Sequence, residues 1–202
     1  MSDILSSFIC FEGLDGSGKS TQAGLLASEL EKRGRKTFLT AEPTDGAIGR
    51  LIRQVLRHEV RTTPCALALL YAADRNHHLY NEEDGIVRNI RDGRVVISDR
   101  YFYSSIAYQG NTADVGYIRT INAYPHPEYV IYIDTPVDVC MARITSRGEG
   151  KELFDRTEFL KKVKDSFDSI FTTLPPEVRF LRVDGSASVD EQREKIASFV
   201  SL

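Results

Sequence analysis

The sequence predicts an α/β protein built on an open sheet of five parallel strands with helices on both sides, a three-layer arrangement. Three observations predict it. Five short runs, Phe8–Phe11, Lys36–Thr40, Val95–Ser98, Tyr129–Ile133 and Val178–Val183, are rich in β-branched and aromatic residues. Several are apolar at consecutive positions, as strands buried on both faces must be. Longer segments with helical spacing separate them, so strand and helix alternate.

The first run leads through Glu12 into a glycine-rich turn. From Lys19 to Arg33, Leu25, Leu26 and Leu30 recur at helical spacing, and Gly34 follows as a C-terminal stop. Glu42-Pro43-Thr44 follows the second run, and Thr63-Pro64 opens another helix, a capping hydroxyl before a proline at the first helical position. The third run ends at Asp99-Arg100-Tyr101. After the fourth, Asp134-Thr135-Pro136 repeats the hydroxyl–proline device and predicts a helix capped by Thr135. Asp184-Gly185-Ser186 follows the fifth. Ligands of such sheets bind outside the carboxyl ends of the strands, where these polar signatures cluster.

The chain has 202 residues, a net charge of −3 and 42% hydrophobic residues, which suits one core and excludes a disordered chain. A mildly acidic balance argues against a nucleic-acid partner. Cys10, Cys65 and Cys140 are odd in number, far apart and set among apolar neighbours, which fits a reducing compartment and no disulfide framework. No apolar run approaches the roughly 20 residues of a membrane span, and the first residues lack a signal-peptide pattern. With no repeat, low-complexity stretch or linker, the expectation is a single domain over residues 1–202, soluble and cytoplasmic, with no membrane partner.

Gly13-Leu-Asp-Gly-Ser-Gly-Lys-Ser20 fits G-x-x-x-x-G-K-[ST] between a predicted strand and helix. In that motif, glycines turn backbone N–H groups toward a phosphate and the helix N-terminus adds a favourable dipole. Gly13, Leu14, Asp15, Gly16, Ser17, Gly18, Lys19, Ser20 and Thr21 are the expected cradle of a nucleoside triphosphate. Lys19 would face the β and γ phosphates and the Ser20 hydroxyl Mg²⁺. The motif suits a GTPase, an ATP-driven machine or a small-molecule kinase. No Asn-Lys-x-Asp follows a later strand, which counts against a GTPase switch. Asp99 ends a buried strand, where it could hold Mg²⁺ or pair with Arg100. Tyr71 and Arg75 are four apart on the helix opened by Pro64. A ring beside a guanidinium suits a base carrying a phosphate, and a core tyrosine with a surface arginine is the plainer alternative.

The phosphate loop with its internal Asp15, Glu42-Pro43-Thr44, Tyr71-Ala-Ala-Asp-Arg75 and Asp99-Arg-Tyr-Phe-Tyr-Ser-Ser-Ile-Ala-Tyr-Gln109 occur in that order. Together they resemble the thymidylate kinase family over essentially the whole chain. The resemblance implies the nucleoside-monophosphate-kinase version of the P-loop fold, a homodimer, and Mg²⁺-dependent phosphoryl transfer from ATP to dTMP, with Lys19, Asp99, Arg100 and a further arginine as catalytic residues. It implies that Asp15 accepts from the deoxyribose 3′-hydroxyl and Tyr71 stacks on thymine. Arg75 would reach the base edge or the monophosphate, and Arg100 the monophosphate. Glu42 and Arg53 would belong to the acceptor site, Ser105 and Gln109 would line the thymine pocket, and Tyr108 would crowd C2′ against ribonucleotides. Residues 143–158 resemble the lid over ATP, with Arg143 on the adenine and Asp184-Gly185-Ser186 beneath it. The phosphate-loop position that holds the catalytic arginine in some members is Gly16 here, so the resemblance assigns that role to the lid, to Arg147 first and Arg156 next. Seven basic residues against four acidic ones between Arg143 and Lys164 fit such a lid, with Lys161, Lys162 and Lys164 expected on a solvated helix face. The four histidines are expected to be surface or structural residues. A kinase of another nucleotide or deoxynucleoside, or an ATP-gated switch, is the alternative.

Overall fold

A computed structural model describes residues 4–146 and 153–201. Five strands, β1 (Ile4–Glu12), β2 (Thr37–Ala41), β3 (Val95–Asp99), β4 (His126–Asp134) and β5 (Arg179–Asp184), form one parallel sheet in the order β2-β3-β1-β4-β5. The helices among the described residues are α1 (Lys19–Lys32), α2 (Ala47–Leu56), α3 (Pro64–Tyr80), α4 (Ile86–Arg91), α5 (Phe102–Gln109), α6 (Val115–Ile121), α7 (Val137–Thr145), α8 (Leu153–Phe171) and α9 (Val189–Phe199).

Strand alternation divides the core in two. Ile9 and Phe11 of β1 join Leu26 and Leu30 of α1 and Ile196 of α9 on one face. Phe8 and Cys10 face the other way, toward Leu79, Ile106, Met141, Val163 and Phe167 of the remaining helices. Helices therefore cover both faces, as the consecutive apolar positions predict. None of the described helices is long and apolar enough to cross a membrane.

Thr63 caps α3 as predicted, its hydroxyl accepting from the Ala66 N–H at 3.2 Å. Thr135 does not cap α7. Pro136 takes the cap position without a side-chain bond, and the Thr135 hydroxyl donates to the Ser17 carbonyl at 3.1 Å. Tertiary contact with the glycine-rich loop overrides the local device. Lys164 likewise leaves the solvated face expected of it: its ammonium pairs with Asp134 at the end of β4. Cys65 is exposed, despite its apolar neighbours in sequence, while Cys10 and Cys140 are buried.

Register places the site. Phe11 pairs with Asp99, and Ala41 pairs with Asp99 from the other side. The turns that leave β1, β2 and β3 thus emerge side by side at the carboxyl edge. There the chain crosses from β3 over β1 to β4, the topological switch that opens a crevice.

Candidate active site

The loop after β1 turns on glycines that no other residue could replace cheaply. Gly13, Gly16 and Gly18 have φ of +149°, +79° and +106°. A Cβ on Gly13 would lie 2.7 Å from the Ile133 carbonyl oxygen, and one on Gly16 would lie 2.8 Å from that of Cys140. The ends of β4 and α7 therefore wall the loop closely. Lys19 is buried and donates to the Leu14 carbonyl at 2.7 Å, curling over the loop, while the Leu14 side chain itself sits in the core. Burial and the nearby Arg100 guanidinium bring the Lys19 ammonium down to about 8. Arg143 of α7 donates to the Gly16 and Ser17 carbonyls and to that of Gly185, each at 3.2 Å. It ties the phosphate loop to the Asp184-Gly185-Ser186 turn.

Asp99 and Arg100 do not pair with each other. The Ser20 hydroxyl donates to Asp99 Oδ2, and Asp99 Oδ1 is buried with no hydrogen-bond partner. A buried orphan carboxylate oxygen beside a serine hydroxyl fits a hard cation that takes its other ligands from phosphate and water. No group of three or more acidic, His or Cys side chains suited to a metal occurs among the described residues. Ser20 and Asp99 are the residues that would hold Mg²⁺.

Arg100 turns the opposite way through a left-handed backbone, φ +76°, which costs a non-glycine residue about 1–2 kcal/mol. Its N–H donates to Phe11 O at 2.9 Å and its carbonyl accepts from Ser98 Oγ at 2.7 Å, which fixes that geometry. The guanidinium meets Asp15 Oδ1 and Ser104 Oγ at 2.6 Å each and lies 5.0 Å over the Tyr108 ring. Burial opposes ionisation of Asp15, but Arg100 and Lys19 outweigh it and hold the carboxyl below its usual range.

Beneath this lies Glu12, which the sequence analysis passes over as a strand end. It is fully buried and accepts from the Tyr101 N–H at 2.9 Å, from the Ser104 N–H at 3.2 Å and from the Ser104 hydroxyl. It serves as an N-terminal anchor for α5 and, through Ser104, a support for Arg100. Burial raises its carboxyl above the ordinary value. A partner 92 positions away leaves no local signal; the only hint is a lone carboxylate in an apolar strand.

The second clamp is Arg75, whose side chain is 1% exposed. Nε and Nη2 both lie 2.7 Å from Glu42 Oε2, Nη2 donates to Ser105 Oγ at 3.0 Å and Nη1 to Asn122 Oδ1. Arg75 is thus no surface arginine, and Glu42 and Ser105 hold it in place. Tyr71, one turn earlier, lines the same cleft, and burial raises its hydroxyl. Arg53 projects from α2 beside the Glu42-Pro43-Thr44 turn. Its guanidinium binds the Thr44 and Pro43 carbonyls at 2.5 and 2.7 Å, and it lines a neighbouring hollow with Ser20 and Asp99.

Two cavities result. One, of about 210 Å³, is lined by Glu42, Tyr71, Arg75, Ser105, Tyr108 and Gln109. The other runs over Gly16, Gly18, Lys19, Ser20, Thr21 and Asp99, with Arg57 and Arg156 on its far wall. Asp15 and Arg100 line both. Arg147 lies outside the described residues, as do residues 148–152 of the expected lid. Arg57, absent from the sequence-based candidates, follows a helix end that nothing local marks as part of the site.

Residues 11–196 match the thymidylate kinase family model. A relative from Treponema pallidum, named "Putative thymidylate kinase", is 39% identical over 96% of this chain and 94% of its own. "Probable thymidylate kinase" of Pyrococcus horikoshii is 38% identical over 96% and 95%, and that of Methanocaldococcus jannaschii 35% over 96% and 95%. A glycine-walled phosphate loop, an adjoining cleft clamped by two arginines and this full-length similarity agree: the chain belongs to the thymidylate kinase family.

Proposed function

We propose that the protein transfers the γ-phosphoryl group of ATP to dTMP, giving ADP and dTDP for dTTP synthesis in the cytoplasm. The observation that carries this is the shared wall: Asp15 and Arg100 border both the phosphate-loop cavity and the Tyr71/Arg75 cleft. Nucleotides in the two cavities would meet end to end there, which is the geometry in-line transfer needs.

On the donor side, loop amides and Lys19 bind the triphosphate and Arg143 backs the adenine. Ser20 and Asp99 would hold Mg²⁺, which would supply positive charge to the phosphates during transfer. On the acceptor side, Arg100 and Arg75 orient the monophosphate, Asp15 accepts from the 3′-hydroxyl and Tyr108 fills the space of a 2′-hydroxyl. Tyr71 stacks on the base. Gln109 accepts from its N–H, a role supported by a buried Oε1 without a hydrogen-bond partner. Glu42 acts by holding Arg75. An acceptor phosphate is already anionic at pH 7, so no strong general base is required.

Residues 143–158 form the lid of this single-domain enzyme, and Arg147 meets the transferring group, with Arg156 on the cavity wall as second. Arg147→Ala should lower kcat at least tenfold with little change in dTMP affinity; near-normal turnover rejects that assignment. A second copy covers the exposed apolar residues Leu51 on α2 and Leu69 and Tyr80 on α3. Sedimentation at micromolar concentration tests the dimer. Acceptor-dependent ADP release with dTMP, dUMP, dCMP, AMP and thymidine tests the reaction. The expected result is fastest turnover of dTMP; faster turnover of another acceptor, or ATP binding without ADP release, overturns it.

A further inference from the structure

His78 lies one turn beyond Arg75 on α3, buried and absent from the lining of the acceptor cleft. Its Nδ1 is 3.1 Å from Glu42 Oε1 and its Nε2 is 2.8 Å from Thr40 Oγ1. Arg75 occupies the other oxygen of the same carboxylate. Both ligands of Glu42 thus come from one helix face, and the histidine reaches on to strand β2.

The roles follow from donor arithmetic. A carboxylate only accepts, so Nδ1 carries the hydrogen that Glu42 takes; in the neutral ring Nε2 then accepts from the Thr40 hydroxyl. Without His78, Glu42 Oε1 would be buried with no partner, and the carboxylate could swing about its terminal torsion and carry Arg75 with it. Asp74 bonds the Thr44 N–H and hydroxyl at 2.7 Å each, so the backbone of the Glu42-Pro43-Thr44 turn has its own anchor. What His78 adds is the orientation of the Glu42 side chain.

We propose that His78 is a positioning residue for the acceptor monophosphate, acting through Glu42 on the aim of Arg75. The proposal rests on dTMP being the acceptor, and wild-type turnover tests that first. Calorimetric Kd values for dTMP and ATP then test His78 separately from turnover. The geometry distinguishes two conservative replacements. Asn places an amide N–H where Nδ1 sits and keeps the donor to Glu42; Gln places its amide near Nε2 and does not. His78→Phe should raise the Kd and KM for dTMP about fivefold or more, with ATP affinity within twofold. His78→Asn should return dTMP affinity to within twofold of wild type, and His78→Gln should stay impaired. Equal dTMP affinities for the Asn and Gln variants overturn the proposal, as does a parallel loss of ATP and dTMP affinity. If the Phe variant fails to fold, the Asn/Gln pair alone decides by the same criterion.

Discussion

Replacing Glu42 by Gln would leave the Arg75 guanidinium buried opposite a neutral group. The two side chains are 3% and 1% exposed, so water can do little to compensate. Removing one member of a buried ion pair typically costs 3–5 kcal/mol, most of it the cost of the stranded charge. Gln keeps the shape and one acceptor oxygen, and Asn122 and Ser105 still receive two Arg75 donors, so the loss belongs at the lower end, about 3 kcal/mol. For a chain of this length that lowers Tm by about 6–12 °C. The double variant Glu42→Leu/Arg75→Met removes both charges and should recover to within about 1 kcal/mol of wild type. Its dTMP affinity should stay poor, because the clamp itself is gone. Urea unfolding and dTMP calorimetry on both single variants and the double variant supply the cycle. A loss below about 1 kcal/mol for Glu42→Gln, or a double variant as unstable as the sum of the singles, would refute the reasoning.

Lys19 with its ammonium near 8 makes ATP binding pH-dependent. Phosphate charge would pull that value back up, so binding near pH 8 should take up about half a proton and weaken as pH rises further. In the unliganded protein the unfolded state binds more protons between about 8 and about 10.4, so this residue's contribution makes stability rise across that window. Calorimetry in buffers of different ionisation enthalpy measures the uptake; its persistence in Lys19→Met would contradict the assignment. Asp99→Asn should raise the Mg²⁺ needed for half-maximal turnover at least tenfold while leaving metal-free dTMP binding unchanged, and an unaltered Mg²⁺ titration would remove Asp99 from the metal site. Gly185→Ala would place a Cβ 1.7 Å from Thr135 Oγ1, disturbing its bond to Ser17. Overpacking of this kind costs about 1–3 kcal/mol, and ATP affinity should fall with it. Wild-type stability and ATP affinity would show that this wall yields.

Sheet and phosphate loop were legible because their signals are local: consecutive apolar residues, glycines at set spacing and a cap before Pro64. That Tyr71 and Arg75 share one helix face was legible through helical spacing, and both line the same cleft. What the sequence did not disclose is who holds whom. Glu12 reaches Ser104, and through it Arg100, across 92 positions, and Asn122 reaches Arg75 across 47. Thr135 carries a good local capping signal that a contact with Ser17 overrides, and Lys164 leaves its solvated face for the charge of Asp134. Parallel strands bring distant turns together, so these supports depend on register, which only the assembled sheet fixes.

The most direct test of the account is the structure of the protein with dTMP bound. The monophosphate should lie within hydrogen-bond reach of Arg100 and Arg75, with its base against Tyr71 and its free oxygens toward the Gly13–Ser20 loop. A dTMP molecule seated elsewhere, with both guanidinium groups untouched, would contradict it.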